Sequence, residues 1–443
     1  FRFPHTPLRL RALLAFRLTA TRTSSLLSGL LACFPIFYAP FLPVTDNYAI
    51  YMLLGISFFL LLSSPRFLNT NYQSPITDYQ LPITFFLLGS ISALMSLARS
   101  DGLLWLGLSF LVAVWHASKQ VNTYTSTQID TDSPRSVSPN YPTTKLPNHK
   151  TASFIFRFLL SAFCILAGYL LLMSPWYARN LSVFNSLMAP GGSRALWLTS
   201  YNDTFAYPAS QLTMQFWLAS GWDAILQARL SALISPISGN LLNAFAAQGG
   251  IFLFPFILVG LRQLRKDIRV RLAALAWILL LVAMTLVFPF AGPRGAFFHS
   301  GAALQPIWWC LAPVGLDSVI AFARRKGLFD DRAFTIFRAS LAGIAVLMTA
   351  AIFVLRVLPG WEREDGHYVK VETLLVQQGA PRDAVVIVRN PPGYNIVTGR
   401  PAIALSTSGL PAILAVAARY DARYIILEPE GISGELLTLY NQP

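Results

Sequence analysis

The sequence predicts a mainly α-helical polytopic membrane protein: a transmembrane bundle of about nine spans, followed by a small external α/β domain. Three observations predict it. Of 443 residues, 54% are hydrophobic and only 12% charged, where soluble domains carry roughly 25% charged residues. Apolar runs of about 14–24 residues recur along the chain, the third and fourth of them short for a membrane-crossing helix. After Pro359 the composition turns to that of a soluble protein. A soluble fold would have to bury every one of those runs.

The net charge of +14 does not imply nucleic acid, and no nucleic-acid partner is expected. In membrane proteins a basic excess marks cytoplasmic loops. Cys33, Cys164 and Cys310 all lie in apolar runs. They form neither a disulfide framework nor a zinc-ligand spacing, and no cofactor or metal is expected.

In order, Phe1–Thr23 is a basic flank with Arg2, Arg9, Arg11, Arg17 and Arg22. Apolar segments follow at Ser24–Pro43, Tyr48–Ser64, Leu81–Leu97, Leu103–His116, Ala152–Ser174, Leu242–Leu261, Val270–Phe290, Ala303–Ala323 and Thr335–Leu358. With the flank placed inside, the inner loops and flanks hold nineteen Lys and Arg; the outer loops hold five, all Arg. That asymmetry predicts an inner N-terminus and an outer C-terminus; the expected location is a plasma (inner) membrane. Residues 1–358 are the membrane domain and 359–443 the external domain.

Within the membrane domain, 118–151 is rich in Ser, Thr, Pro and Asn and reads as a disordered cytoplasmic linker. The segment 175–240 is long, external and aromatic, with Trp176, Trp197, Tyr201, Trp217 and Trp222 among its rings. Aromatic side chains concentrate at membrane interfaces, so this loop is expected to lie on the bilayer. In the external domain, Tyr368–Gln377 reads as a helix, Ala384–Val388 as a strand, Leu410–Tyr420 as a helix and Tyr424–Leu427 as a second strand. Strand–helix–strand order predicts a parallel pair. Asn390-Pro391-Pro392-Gly393 reads as the turn between them. It makes a poor phosphate loop, because proline lacks the backbone donor.

The topology gathers ionisable groups on the outer face: Asp46 after the first span, Arg99 and Asp101 in the tight link after the third, Arg179 after the fifth, and Arg294 with His299 after the seventh. Singly, each has a plain reading. Asp46 fits a helix cap, Arg99–Asp101 a local ion pair, Arg179 an interfacial anchor beside Trp176 and Tyr177, and His299 an interfacial histidine beside two phenylalanines. Asp203 fits a loop role. Together they suggest more. Arg presents a planar fork that matches phosphate oxygens, and a carboxylate at the same level can act as general base. Such a site suits a lipid-linked phosphate substrate presented from the outer leaflet.

Four stretches give the chain a family likeness. They are Phe34-Pro35 through Val44-Thr45-Asp46; Leu97-Ala98-Arg99-Ser100-Asp101-Gly102-Leu103-Leu104; Pro175-Trp176-Tyr177-Ala178-Arg179-Asn180; and Arg294-Gly295 through Phe298-His299-Ser300 to Leu304-Gln305-Pro306. In these the chain resembles the GT-C superfamily of membrane glycosyltransferases, in particular its dolichyl-phosphate-mannose-protein mannosyltransferase-like group. The resemblance covers roughly Arg22–Ala323, and the third stretch is its most specific part. It implies sugar transfer from a polyprenyl-phosphate donor to a protein, lipid or glycan acceptor on the outer face. It also implies that Asp46 matches an external acidic position near the catalytic centre and that Arg99, Arg179, Arg294 and His299 grip the polyprenyl phosphate; Asp46 is the catalytic candidate, and Asp101 joins the substrate-binding residues by orienting Arg99. One departure stands out: the family's acidic residue directly after its first span has no counterpart here. The chain begins at Phe1 without a signal-peptide pattern, and three readings of the departure stay open: an upstream span with that acidic loop is missing, the favoured one, together with a second span returning to the inside; the chain is inactive; or Asp46 does the work alone. Two other classes compete: a transporter or flippase for a lipid-linked sugar, and a non-catalytic scaffold displaying the C-terminal domain. The first calls for charges at mid-membrane depth and internal repeats, and the sequence shows neither.

Overall fold

The computed structural model describes residues 13–19, 21–44, 46–64, 67, 80–131, 148–189, 191–360, 363–429, 432 and 434–442. The fold is mainly helical, with a small parallel α/β region near the C-terminus. It divides into two compact units. The first comprises Phe1–Leu187, Leu241–Ala283 and Gly295–Thr349; the second comprises Met188–Asn240, Met284–Arg294 and Ala350–Pro443.

Each apolar segment of the sequence is helical, but they differ in length. Six helical stretches among the described residues are long and apolar enough to cross a membrane: Leu81–Ala98, Ser100–Lys119, Thr151–Phe184, Ile268–Val287, Gly292–Arg325 and Arg332–Gly360. A bent pair, Asn240–Gln248 and Ile251–Gln263, makes a seventh if taken as one span, its halves meeting at 88°. The first two segments are shorter than a span of ordinary length. Helix α1 (Arg22–Cys33) stops before Pro35, where Ile36 takes a left-handed φ of 52° and a tight turn over Ile36–Phe41 follows. Helix α2 (Tyr48–Leu62) has 15 residues, about 22 Å at 1.5 Å per residue.

Helices α3 (Gln80–Ala98), α4 (Leu103–Thr131) and α5 (Asn148–Phe184) follow. The expected linker at 118–151 contributes its two ends to α4 and α5, and 132–147 lies outside the described residues. Helix α5 runs through Pro175, which the sequence reading took as a span end. A proline is tolerated inside a membrane helix because local adjustments re-satisfy the freed backbone groups. The outer row of α5, including Phe156, Leu159, Phe163 and Leu171, is exposed, as a lipid-facing surface requires.

Close approach of backbones holds these helices together. A Cβ built on Gly89 of α3 would overlap the Ile165 carbonyl of α5, and one on Gly168 of α5 would overlap Phe86 of α3. The same reciprocity joins α7 (Phe254–Gln263) to α9 (Gln305–Arg325): Gly260 abuts Leu311, and Gly315 abuts Phe256. Lipid tails are as apolar as leucine, so membrane helices associate by such packing rather than by a hydrophobic drive. Gly315→Leu is therefore expected to destabilise the full chain by roughly 1–3 kcal/mol or more, read as a lower unfolding temperature in detergent.

At the C-terminal end of α2, Arg269 is buried. It donates to Asp267 (Nε to Oδ1, 2.9 Å), to Ser63 Oγ (2.9 Å) and to the Arg17 carbonyl (3.2 Å). Asp267 also caps α8 (Ile268–Val282) through the Arg269 backbone N–H. Helix α10 (Arg332–Ile352) is tied to α9 by a bidentate pair, Arg338 to Asp317, at 2.8 Å for both bonds.

In the second unit, α11 (Arg363–Gln377) leads into β1 (Val385–Val388), α12 (Pro391–Thr398), β2 (Ala402–Ala404), α13 (Leu410–Tyr420), β3 (Ala422–Ile425) and α14 (Glu435–Asn441). The sheet is fully parallel in the order β2-β1-β3. The expected parallel pair is present as β1 with β3, and β2 adds a strand on the other edge of β1. Asn390-Pro391-Pro392-Gly393 starts helix α12 instead of forming a simple turn. The prolines occupy its first turn, where no amide partner is required, and the Asn390 side chain caps Gly393 N at 3.2 Å.

Arg400 is the buried keystone of this region. Its Nη2 donates to Glu372 Oε1 (2.8 Å), its Nε donates to Oε2 (2.9 Å), and Nη1 donates to the Pro381 carbonyl. Tyr394 OH donates to Glu372 Oε2 at 2.7 Å. The loop after β2 also holds the aromatic segment of the same unit. Thr407 N and Ser406 Oγ both donate to the Phe205 carbonyl (3.3 and 3.2 Å), Thr407 Oγ1 donates to the Asn202 carbonyl (2.7 Å), and Tyr207 N donates to Ser408 Oγ (3.0 Å).

Candidate functional site

Three loops of the first unit meet where the sequence reading placed its outer face. The first ends at Asp46-Asn47, just before α2. The second is Arg99-Ser100-Asp101-Gly102, between α3 and α4. The third is the short helical stretch carrying Ala296 to His299.

The first loop is shaped by local strain and by stacking. A β-branched residue at positive φ is a genuine outlier, and Ile36 is one; its N–H donates to Thr349 Oγ1 at 3.0 Å. Two residues on, the Tyr38 ring stacks on Phe298 (4.0 Å between centroids) and its hydroxyl donates to the Phe298 carbonyl at 2.9 Å. Phe41 and Tyr48 complete this aromatic cluster around Phe298.

His299 stacks on Tyr48 at 3.9 Å and 20°. Asn47 sets its tautomer. The Asn47 amide donates from Nδ2 to the Ala98 carbonyl at 3.2 Å, so its Oδ1 faces the imidazole. His299 Nδ1 lies 3.0 Å from that oxygen and donates to it, which leaves Nε2 as the imidazole's acceptor nitrogen in the neutral ring.

Asp46 is 42% exposed, and its Oδ1 lies 3.7 Å from His299 Nδ1. The same oxygen accepts from Asn47 N at 2.6 Å. Among the described residues no hydrogen bond reaches Asp46 Oδ2. Asp101 is committed in contrast: Oδ1 accepts from Arg99 Nε at 2.8 Å and Oδ2 from Tyr51 OH at 3.3 Å. Arg99 Nη2 reaches the Ala296 carbonyl at 3.4 Å, and among the described residues its Nη1 has no acceptor. The arrangement is an open carboxylate beside an imidazole, with a braced guanidinium along one wall.

Each of the two remaining arginines of the sequence reading lies over an aromatic ring. Arg179 sits between the rings of Trp176 (5.3 Å) and Phe184 (5.4 Å) on α5, and donates to Asn180 Oδ1 at 3.2 Å. No contact among the described residues joins it to Asp46, Arg99 or His299. Arg294 belongs to the second unit, where its guanidinium lies 3.7 Å over the Tyr201 ring. Asp203 is a loop brace, as its plain reading had it: its two oxygens accept from the N–H and hydroxyl of both Thr199 and Ser200 at 2.7–3.0 Å.

Asn47, Tyr48, Tyr51 and the Ala296 carbonyl were missed as parts of the site. Only Tyr51 carried a local signal, since it falls four residues after Asn47 and shares its helix face. Among the described residues no group of three metal-ligating side chains occurs. No family model, curated protein or solved structure matches the chain.

Proposed function

We propose that the chain is a membrane glycosyltransferase, moving a sugar from a polyprenyl-phosphate donor to an acceptor hydroxyl or amine at the outer face. The observation that carries this reading is the open Asp46 carboxylate beside His299, in a wall that also holds Arg99. In the proposed reaction Asp46 takes the acceptor's proton as its oxygen or nitrogen attacks the anomeric carbon. The bond from that carbon to the phosphate oxygen breaks, and Arg99 stabilises the departing phosphate. Asp101 and Tyr51 hold Arg99 in place. His299 flanks Asp46 and offers Nε2 to a substrate hydroxyl.

The contacts inside each unit support the nine-span topology. A helix that crosses once changes sides. Asn47 meets Ala98, so the two helices between them, α2 and α3, cross together or not at all. Arg99 meets Ala296 after α4, α5, the bent pair and α8. An even number of crossings then favours a bent pair that passes through over one that turns back. The Arg269 cluster, with Ser63 and Arg17, imposes the same parity at the other end. Within the second unit, the contact of Thr407 with Phe205 agrees, with the bent pair, α8, α9 and α10 lying between. The basic excess favours an inner Arg17–Arg269 end. Cysteines introduced into 132–147 are expected to resist an impermeant thiol reagent applied to intact cells; ready labelling would invert this orientation.

A broken span is also a feature of transporters, and the 88° bend favours that alternative. Here the bend is lined by uncharged groups that satisfy one another: Gln248 Nε2 donates to the Phe297 carbonyl (3.1 Å), Gln305 Nε2 donates to the Gln248 carbonyl (2.9 Å), and Trp277 Nε1 donates to Gln248 Oε1 (3.2 Å). The deciding experiment incubates the reconstituted full chain with a radiolabelled polyprenyl-phosphate sugar in sealed vesicles. Label released from the lipid phosphate onto an acceptor supports transfer. Intact labelled lipid that only changes leaflet supports transport.

A further inference from the structure

Helix α6 (Trp222–Ile234) lies in the aromatic segment of the second unit. One face packs inward through Ile225 and Ala232, which are buried. Beside that face, Arg229 Nη1 donates to the Ile225 carbonyl at 3.1 Å and its guanidinium lies 5.2 Å over the Trp217 ring. Arg229, Leu196 and Leu198 line a small cavity with Val287–Ala291. Those last residues sit where the membrane-crossing stretch Ile268–Val287 ends. The helix is thus fastened against the end of a span.

Its outer surface has two rows. Trp222, Leu226, Leu230 and Ile234, spaced by four, are 55–66% exposed, and Ile237 beyond them is 89% exposed. The adjacent row, Asp223, Gln227 and Ser231, is polar and also exposed. A stripe of four large apolar side chains facing water would be an unusual surface for a soluble protein. Two observations name what covers it. The helix abuts a span end, as above. The chain then reaches Asn240, whose Nδ2 donates to the Met284 carbonyl (3.2 Å) and Thr285 Oγ1 (3.0 Å) near the end of the same span. Both the body of α6 and the segment leaving it are therefore held at the depth where that span meets the interface. Tryptophan at the start of the stripe suits that depth.

We propose that α6 lies in the plane of the membrane, with Trp222, Leu226, Leu230 and Ile234 among the acyl chains and Asp223, Gln227 and Ser231 toward the headgroups. The partner of this surface is the lipid leaflet itself. The proposal stands apart from sugar transfer and needs only the membrane reading.

The test uses the full chain with Cys33, Cys164 and Cys310 replaced by Ala. Single cysteines at Leu226, Leu230 and Gln227 carry a nitroxide label, in dioleoylphosphatidylcholine vesicles. Labels at 226 and 230 are expected to collide several-fold more with oxygen than with a water-soluble nickel chelate, with the reverse at 227. Equal nickel access at all three positions would place the stripe in water and overturn the proposal. Low access to both quenchers at 226 and 230 would mean a protein partner and also overturn it. A second reading guards against a label that disturbs the helix. A fluorophore at 230 should be quenched by brominated acyl chains, and unchanged emission would count against insertion.

Discussion

Replacing Asp46 by Asn is expected to lower sugar transfer from a labelled polyprenyl-phosphate donor by roughly 10²–10⁴-fold, the range for loss of a general base. The substitution is nearly isosteric. It keeps an oxygen for the Asn47 N–H, which Asp46 Oδ1 accepts at 2.6 Å, so the loop should survive. What disappears is the carboxylate that faces solvent beside His299. Asp101→Asn provides the contrast. Both Asp101 oxygens already hold partners, Arg99 and Tyr51, so its loss should loosen Arg99 and act mainly through donor KM. Wild-type turnover in Asp46→Asn would sink the proposed site. A larger loss in Asp101→Asn than in Asp46→Asn would exchange the two roles.

The second large effect is on stability. Arg400→Gln should destabilise the C-terminal α/β region by about 3–5 kcal/mol, the cost of breaking a buried ion pair by removing one partner. Arg400 is 1% exposed and Glu372 19%, so the carboxylate left behind has little water to turn to. Tyr394 would still donate to it, one bond in place of a fork. The double replacement Arg400→Met with Glu372→Leu should cost less, because no buried charge remains. Hydrogen exchange at the Val386–Val388 amides of the full chain reads this locally. At roughly 1.4 kcal/mol per decade, exchange there should quicken by about two to three and a half decades in Arg400→Gln. Unchanged protection would show that the network does not hold the sheet.

The same pair sets a pH window. The Arg400 fork holds the Glu372 carboxyl below its ordinary value, against a smaller opposing effect of burial. A depressed carboxyl contributes stability that is fully present above the unfolded value, near about 4.3. That contribution is lost as pH falls through the lower folded value. Protection of β1 should therefore be flat with respect to this group from neutral pH down to about 5. It should decline only in more acid solution, and Glu372→Gln should flatten that decline.

The membrane character of the chain was legible because it depends on composition and run length alone. The loops that would hold charge were legible for the same reason: Lys and Arg counts on alternate sides need no coordinates. So were Asp46, Arg99, Asp101 and His299 as a group, since alternation of spans puts them on one face. Their division of labour was not. Asp46 and Asp101 look equivalent in the sequence, yet one carboxylate is open and the other is filled by a tyrosine fifty residues away. Asn47, which sets the His299 tautomer, bonds across 252 positions.

Local signals also misled where a rule has an exception that only packing reveals. Pro175 reads as a span end, but α5 continues through it to Phe184, and that extra length is what places Arg179 between Trp176 and Phe184. Pro391 and Pro392 read as a turn, but they open α12. Strand β2 has three residues, too few to show a pattern; it exists because β1 offers it an edge.

By itself the sequence determined a helical membrane protein with a parallel α/β appendage, because burial in lipid and burial in a small core each demand a recognisable pattern of apolar residues. The tertiary structure decided which carboxylate stays open, which arginines lie over aromatic rings, and that α2 keeps company with full-length spans. Those outcomes rest on contacts between residues far apart in the chain. A hydrogen bond or a stacked ring depends on where two helix ends meet, and the identity of the residues at either end does not encode that meeting.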